Sequence, residues 1–213
     1  MKFPAVVIPV KGGNPKSRLS GILGPEARKD LVRAMIQDVL KIVVEAGLLD
    51  RTFVVSPDQE ILHFTSNSGA RQIREARESG VNAAVEMAMH QTSDAEGWLV
   101  LPADIPFISR RDVSRALEFI EAGAKVVISP SRGLDGTNLL LFGSGTKMKL
   151  SYDRDSFRGH LASAAHSRFS VAVYCSKTIL LDIDTVEDIE LALASGVRNA
   201  TTDFLESRLR RGG

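Results

Sequence analysis

The chain is short of cysteine and has no excess of charge of either sign. One cysteine, Cys175, occurs among 213 residues, which excludes an internal disulfide and a cysteine metal cluster. It lies in an apolar stretch, so we expect a buried structural thiol rather than a nucleophile. The formal net charge of +1 offers no electrostatic footprint for nucleic acid or for an anionic membrane. We therefore expect neither of these as a partner.

Long hydrophobic runs are also missing. No run approaches the ~20 apolar residues of a membrane span, and the opening apolar run is too short for a signal peptide and passes at once into a charged glycine turn. A cytoplasmic protein is expected. The length of 213 residues suits one large domain over 1–213, which closes in a basic, partly helical tail at 199–213. A homodimer is compatible with the sequence, but no interface can be named.

Short apolar runs alternate with helical patterns, which is typical of an α/β layered fold. Several runs are apolar on both faces, so we expect a mixed, mostly parallel sheet with helices on both sides. In such a sheet, ligands bind at the carboxyl ends of the strands. The predicted strands are residues 5–10, 52–55, 71–73, 98–101, 125–129, 138–142, 171–175 and 180–184. The predicted helices are 25–46, 81–90, 109–123, 156–165 and 185–196.

A basic glycine turn follows the first predicted strand. Gly12 and Gly13 allow backbone N–H groups to approach phosphate oxygens closely. Lys11, Lys16 and Arg18 flank the turn and carry the charge needed to hold a triphosphate and a leaving pyrophosphate. The spacing fits neither a P-loop nor a dinucleotide-binding fingerprint, and a solvated surface turn is the alternative.

Three aspartates are candidate ligands for Mg²⁺. Asp104 follows an apolar strand directly, which places it at the crevice end of the sheet. Asp182 and Asp184 lie in the predicted strand 180–184, where alternation directs both side chains to one face. Two carboxylates on one face repel each other unless a cation lies between them. The alternatives are a turn-forming role for Asp104 and helix capping or strand termination for the other two.

Two weaker segments follow. Thr137 and Asn138 come after an Asp-Gly turn and could hold a phosphate or a carboxylate, although such a turn is also an ordinary hairpin. Ser156 begins a predicted helix and His160 lies one turn later, so the helix N-terminus could bind an anion. A plain N-cap explains Ser156 equally well.

Taken in order, these segments resemble the 2-phospho-L-lactate guanylyltransferase family of coenzyme F-420 biosynthesis. The resemblance runs through nearly the whole chain and is most specific in its second half. It is carried by Ile8-Pro9-Val10-Lys11, Lys16-Ser17-Arg18-Leu19, Pro102-Ala103-Asp104-Ile105-Pro106, Gly136-Thr137-Asn138, Ser156-Phe157 with His160, and Asp182-Ile183-Asp184-Thr185.

The resemblance implies a GT-A-like nucleotidyltransferase fold and transfer of GMP from GTP to 2-phospho-L-lactate, or to phosphoenolpyruvate in a bacterial branch. GTP and a small phosphorylated carboxylic acid would then be the partners, with Mg²⁺ as cofactor. Three sets of roles follow by matching position. Asp104, Asp182 and Asp184 would bind the metal, Thr137 and Ser156 the acid, and Lys11, Lys16 and Arg18 the nucleotide phosphates. Asn82 and Ala83 fall, by a loose match, where the family contacts the base.

One segment departs from the family. Tyr152-Asp153-Arg154-Asp155 stands where relatives often carry glycines, and two acids beside an anion pocket disfavour a phosphate unless Arg154 or a metal offsets them. Two other functions remain open at this point. One is a nucleotidyltransferase for a different acceptor, such as a molybdopterin or a sugar phosphate, and the other is a nucleotide-binding module without catalysis.

Overall fold

The structure is a computed structural model that describes residues 4–146 and 148–209. The first three residues of the chain, Lys147 and the last four residues of the predicted tail lie outside the described residues. Within the described part, no helix is long and apolar enough to cross a bilayer.

One mixed sheet of seven strands forms the centre of the described chain. The strands β1 to β7 are Ala5–Pro9, Thr52–Ser56, Arg71–Arg74, Gly97–Val100, Val126–Pro130, Thr137–Gly143 and Val171–Val173. They lie in the order β3-β2-β1-β4-β6-β5-β7. Only β6 runs antiparallel to its two neighbours in this order, β4 and β5, while the other pairs are parallel. The expected mixed, mostly parallel sheet is therefore confirmed.

Helices cover both faces of this sheet, as expected. The helices α1 to α7 are Pro25–Glu45, Gln59–Ser66, Val81–Gln91, Arg110–Glu121, Ser156–His166, Val186–Ala194 and Ala200–Leu209. Alternate residues of β1 enter two separate apolar clusters: Val6 and Ile8 face α1, whereas Ala5 and Val7 face α3. A strand that is buried on both faces reads as a continuous apolar run, which is why alternation is absent from 5–10.

Local signals in the sequence set several helix starts. Pro25 is the first residue of α1. Proline has no backbone N–H, but at this position an N–H would have no helical acceptor, so no hydrogen bond is lost. Ser109 and Thr185 each form a complete capping box with an aspartate three residues later, at the predicted starts of the helices 109–123 and 185–196. Helix α2 was not predicted, although Asp58 accepts hydrogen bonds from the N–H groups of Glu60 and Ile61 and is a recognisable N-cap.

The strand order creates a crevice at one place. The chain builds outward from β1 through β2 to β3, and then returns to place β4 on the opposite side of β1. At such a switch point the loops after the two central strands diverge and leave an opening. The loops after β1 and β4 carry the glycine turn and Asp104, so both candidate segments face this opening.

Two predictions fail in the segment that follows β7. Residues 180–184 are not a strand: the segment lies beside the loop after β4, to which it is joined by a single backbone bond, from Ile183 N–H to the Asp104 carbonyl (2.9 Å). Burial of Ile179 and Ile183 explains its apolar character without a ladder of hydrogen bonds. Cys175 is exposed rather than buried, because β7 ends at Val173 on the edge of the sheet and the chain then leaves it.

The predicted partly helical tail contains α7, which packs on α1 through a buried carboxylate. Asp38 is 5% exposed and accepts hydrogen bonds from Ala200 N–H (2.9 Å), Thr201 N–H (2.9 Å) and the Thr201 hydroxyl (2.6 Å). One side chain of α1 thus supplies the acceptors that the start of α7 lacks. The docked helix also buries Leu205 in the core.

We expect Asp38→Ala to lower the free energy of unfolding by about 2–3 kcal/mol, because it removes a cap and leaves buried donors without acceptors. Asp38→Asn retains one acceptor oxygen and should lose less. Urea denaturation followed by circular dichroism measures both values. Glu45→Ala on the same helix is the control, since this side chain is exposed and a surface charge contributes at most ~1 kcal/mol. Equal losses for Asp38→Ala and Glu45→Ala would contradict this account of α7 docking.

Candidate active site

The glycine turn after β1 is shaped by close packing on the neighbouring strand end. A Cβ placed on Gly12 would lie 2.9 Å from the Pro57 ring, so no larger residue fits there without a shift. Gly13 has a φ of +68°, which favours glycine. The buried guanidinium of Arg28 on α1 donates to the Asn14 side chain and holds the turn from below. This role of Arg28 was not predicted from the sequence, because it is apparent only from the burial of Arg28 and its contact with Asn14 in the fold.

The ammonium group of Lys16 lies between two carboxylates. Its Nζ is 2.8 Å from Asp104 Oδ2 and 2.8 Å from Asp184 Oδ1, and its side chain is 9% exposed. Burial opposes the charge on Lys16, but Asp104 and Asp184 outweigh it and raise the pKa of Lys16 above its ordinary value. Lys16 has a φ of 51°, which is an unusual backbone conformation for a residue other than glycine. In this conformation its side chain lies between Asp104 and Asp184.

Arg18 and Lys11 are the exposed cations of the turn. Arg18 Nη1 contacts the second oxygen of Asp184 at 3.0 Å, and its side chain remains 72% exposed. Lys11 is exposed on the wall of the cavity. The three predicted cations therefore reach one opening, with Lys16 held by carboxylates and the other two accessible to a ligand.

Asp182 has a different partner: its carboxylate is bonded to Asn138 and not to Lys16 or Arg18. Its Oδ1 is 3.3 Å from Asn138 Nδ2, and the same amide donates to the Ile179 carbonyl at 2.8 Å. Burial, reinforced by the negative charge of Asp104, raises the pKa of Asp182 to about 6. Asn138 therefore positions the segment that carries Asp182, and its amide is engaged with the protein.

The carboxylates of Asp104, Asp182 and Asp184 are the candidate ligands for a metal ion. No three carboxylate, histidine or cysteine side chains stand together as a ready ligand group in residues 4–146 and 148–209. However, Asp104 and Asp184 already share one cation, the ammonium of Lys16, and Asp104 is close enough to Asp182 to disfavour its ionisation. Magnesium commonly takes one or two carboxylates and completes its shell with phosphate oxygens and water. The residues therefore fit such an ion in the presence of a nucleotide.

The irregular segment after β7 depends on one buried carboxylate. Asp112 on α4 is 1% exposed and accepts hydrogen bonds from the hydroxyl groups of Tyr174 (2.8 Å), Ser176 (2.6 Å) and Thr178 (2.7 Å). Burial opposes ionisation of Asp112, but its hydrogen-bond donors outweigh it and hold the pKa below its ordinary value. Asp112 also completes the capping box of Ser109, a pattern that is visible in the sequence, whereas its bonds to the segment after β7 were not predicted.

A second polar group lies on the opposite face of β6, at the start of α5. Thr137 Oγ1 is 3.0 Å from Ser156 Oγ and 3.0 Å from His160 Nδ1, and His160 has no exposed surface. The structure thus joins three of the predicted acid-binding residues in one hydrogen-bonded group. His160 itself is too deep to meet a ligand directly.

Hydrogen bonds and one ion pair hold the departing segment 152–155. Asn82 accepts from Tyr152 N–H at 2.9 Å and donates to Asp153 at 3.1 Å, so its amide holds this loop. Asp155 pairs with Arg158 at 3.0 Å. The charge of Asp155 is therefore offset by Arg158 rather than by Arg154, whereas Asp153 is bonded to a neutral amide and keeps its negative charge.

These elements border a cavity of about 520 Å³ at the switch point. Of the predicted residues, the lining includes Lys11, Gly12, Gly13, Lys16, Arg18, Asp104 and Asp184. Tyr152 and Glu78 also line it and were not predicted. Asn82 and Ala83, Thr137 and Asn138, Ser156 and His160, and Asp182 lie behind this first layer, so the structure brings about half of the predicted residues to the cavity surface.

The chain is similar to known proteins over most of its length. The family model described as "Guanylyl transferase CofC like" matches residues 4–210. The chain is 36% identical over 204 residues to the 2-phospho-L-lactate guanylyltransferase of Methanocaldococcus vulcanius, covering 95% of this chain and 90% of that protein. It is 36% identical over 193 residues to the phosphoenolpyruvate guanylyltransferase of Rubrobacter xylanophilus, covering 89% of this chain and 93% of that protein.

A solved structure supports the fold at lower identity. The nucleotidyl transferase from Methanothermobacter thermautotrophicus matches with a TM-score of 0.71 at 18% identity, over 97% of this chain and 100% of that chain. The expected nucleotidyltransferase fold is thereby confirmed.

We expect Asp112→Asn to lower the free energy of unfolding at pH 7 by about 2–4 kcal/mol, because an amide N–H₂ would face hydroxyl donors in a buried site. The folded-state pKa of Asp112 is depressed, so its contribution is complete above the unfolded pKa of ~3.9 and is lost as the pH falls below it. The difference from wild type should therefore shrink between pH 5 and pH 3 in urea titrations. The exposed substitution Asp94→Asn is the control, and a pH-independent loss would contradict the assignment.

Proposed function

We propose a specific reaction for this chain, which belongs to the guanylyl transferase CofC-like family: it transfers GMP from GTP to 2-phospho-L-lactate or phosphoenolpyruvate and releases pyrophosphate. The product enters coenzyme F-420 biosynthesis. GTP and the phosphorylated acid are small, highly charged metabolites, and we place the reaction in the cytoplasm.

The observation that carries the proposal is the arrangement around Lys16. Basic residues and glycine backbone from the turn after β1 meet the carboxylates of Asp104 and Asp184 in one cavity at the switch point. The basic residues and the backbone N–H groups can bind phosphate oxygens, and the carboxylates can bind a divalent cation. A site that offers both suits a nucleoside triphosphate with its metal.

The reaction requires little acid–base chemistry from the protein. The second pKa of a phosphate monoester is ~6, so the acceptor phosphate is already largely dianionic at pH 7 and is a competent nucleophile. One of its oxygens attacks the α-phosphorus of GTP, the bond from that phosphorus to the bridging oxygen breaks, and pyrophosphate leaves. Lys11, Lys16 and Arg18 stabilise the charge that grows on pyrophosphate. The absence of a histidine from the cavity lining among the described residues is compatible with this route.

Magnesium would be held by Asp104 and Asp184, with Asp182 behind them. When bound, it supplies positive charge between two polyanions that otherwise repel each other. Lys16 would then release one or both carboxylates and turn its ammonium group towards the phosphates. Its long flexible side chain allows this without a change in the backbone.

The acid would lie near the start of α5. The N-cap residue Asp155 makes no side-chain cap hydrogen bond, although in the first turn Phe157 N–H already donates to the Asp135 carbonyl at 3.2 Å. The hydroxyl groups of Thr137 and Ser156 lie beside this helix end, and the helix dipole favours a negative group there. We assign the carboxylate of the acid to this place and its phosphate to the region of Asp104.

The activity is tested with purified protein, Mg²⁺, each of the four nucleoside triphosphates, and either acid. Pyrophosphate release is measured and the products are identified by mass. A GMP adduct of one acid, formed from GTP alone, is expected. If only a sugar phosphate or a molybdopterin accepts the nucleotide, the acceptor is wrong. Nucleotide binding without turnover for any acceptor would indicate a binding module.

We expect Asp104→Asn to reduce kcat by about 100-fold or more, since it removes a carboxylate that acts on the reacting charges. The variant should also require more Mg²⁺ for half-maximal rate. Asp94→Asn, an exposed carboxamide substitution of the same kind, should leave both quantities unchanged. Wild-type rates and an unchanged Mg²⁺ requirement in Asp104→Asn would remove Asp104 from the metal site.

We expect Thr137→Val to raise KM for the acid about tenfold and to leave KM for GTP unchanged, because it removes one hydrogen bond to the acceptor and preserves the shape of the side chain. Thr137→Ser keeps the hydroxyl and should retain most of the acid affinity. Steady-state kinetics with each substrate varied in turn separates these effects. An equal rise in both KM values would place Thr137 outside the acid site.

A further inference from the structure

His160 is a buried histidine with two well-defined partners. Its Nε2 is 3.0 Å from the backbone N–H of Ser151, and its Nδ1 is 3.0 Å from Thr137 Oγ1. The ring of Tyr152 contacts it edge-on, with the centroids 4.7 Å apart, and Tyr152 lines the cavity. Burial lowers the pKa of His160 to about 4, so the ring is neutral at pH 7.

The backbone partner determines the tautomer. A peptide N–H only donates, so Nε2 must accept and carries no hydrogen. A neutral imidazole has one N–H, which therefore lies on Nδ1 and donates to Thr137 Oγ1. The approach of Ser151 that makes this possible requires a glycine on α5, because a Cβ on Gly159 would lie 2.8 Å from Ser151 Cβ.

With this tautomer, the hydroxyl group of Thr137 can act towards a further partner only as a hydrogen-bond donor. Its oxygen accepts from His160 Nδ1 and from the Ser156 hydroxyl, which is 3.0 Å away and closer than the alternative acceptor of Ser156, the Asp135 carbonyl at 3.5 Å. Both acceptor positions of the oxygen are used. Within residues 4–146 and 148–209, no bond from the Thr137 hydrogen to an acceptor is found beside these two. Thr137 is 4% exposed, and we assign this hydrogen to the ligand that the proposed function places at the start of α5.

We infer that His160 is a positioning residue that makes Thr137 an obligatory hydrogen-bond donor to the anionic acid substrate. The inference rests on the proposed function, because it takes Thr137 as a contact of the acid. A hydroxyl that is locked as a donor matches a carboxylate, which only accepts. A hydroxyl free to rotate would serve donors and acceptors alike and would discriminate less.

Two amide substitutions separate the two bonds of His160. In His160→Gln, the amide reaches the Nε2 position and its oxygen can accept from Ser151 N–H, but nothing donates to Thr137. In His160→Asn, the amide lies at the Nδ1 position and can donate to Thr137, but Ser151 N–H loses its acceptor. The first variant retains the structural bond, and the second retains the bond that orients Thr137.

The expected kinetic and stability results therefore diverge. His160→Gln should raise KM for the acid about tenfold with KM for GTP unchanged, and should unfold near the wild-type temperature. His160→Asn should unfold at a lower temperature and keep an acid KM closer to wild type. If His160→Asn instead has the higher acid KM, so that affinity follows stability, His160 is only structural and the inference is overturned.

A double-mutant cycle tests whether His160 acts through Thr137. In the Thr137→Val background, His160→Gln should cause no further rise in the acid KM, since the hydroxyl that it orients is gone. An undiminished, additive rise would overturn the inference.

The tautomer can be tested without turnover, by ¹⁵N NMR of the imidazole nitrogens at pH 7. The His160 signals are assigned by their loss in His160→Gln. A hydrogen on Nδ1 and a bare Nε2 are expected, and a hydrogen on Nε2 would overturn the inference. If wild-type protein shows this tautomer but converts neither acid, the proposed function fails while the arrangement of His160 stands.

Discussion

The salt bridge of Lys16 with Asp104 and Asp184 is the interaction on which the rest of the site depends. The three residues come from loops far apart in the chain, and their charges are compensated only when β1 and β4 lie side by side and the segment after β7 lies beside the loop after β4. If a ligand phosphate draws the ammonium away, two neighbouring carboxylates are left that repel each other unless another cation enters. In the proposed reaction, binding of phosphate and binding of a cation would therefore be coupled through one lysine side chain.

The position of Asp184 depends on the segment that carries it, and this segment is held largely by polar side chains. The segment that carries Asp182 and Asp184 has no regular backbone ladder, so side chains hold it from beneath. Asp112 accepts from three hydroxyl groups near its start, and Asn138 bonds to the Ile179 carbonyl in its middle. Buried hydrogen bonds of this kind specify one position for a loop, because each unsatisfied partner would cost ~1–3 kcal/mol. These bonds hold the irregular segment in one position, with Asp184 at the crevice.

The two faces of β6 carry two different polar groups. Asn138 points to the side of Asp182, whereas Thr137, the neighbouring residue, points to α5 and its hydroxyl and imidazole groups. Alternation along a strand thus directs adjacent residues to opposite faces of the sheet. On the α5 side Asp155 pairs with Arg158, while Asp153 accepts a hydrogen bond from the neutral amide of Asn82 and keeps its charge.

The sequence by itself determined the layered α/β fold, most strands and helices, both capping boxes and the residue types of the site, because these follow from local periodicity, capping and turn chemistry. The sequence also contains the motifs from which the family could be identified. It misplaced residues 180–184 and Cys175, since an apolar run is the same whether it enters a sheet or lies beside a loop. Only the tertiary structure decided that Lys16 joins Asp104 to Asp184, that Asp112 and Arg28 support the loops, and that His160 lies behind Thr137. Those relations join residues that are distant along the chain, and only packing sets the distances between them.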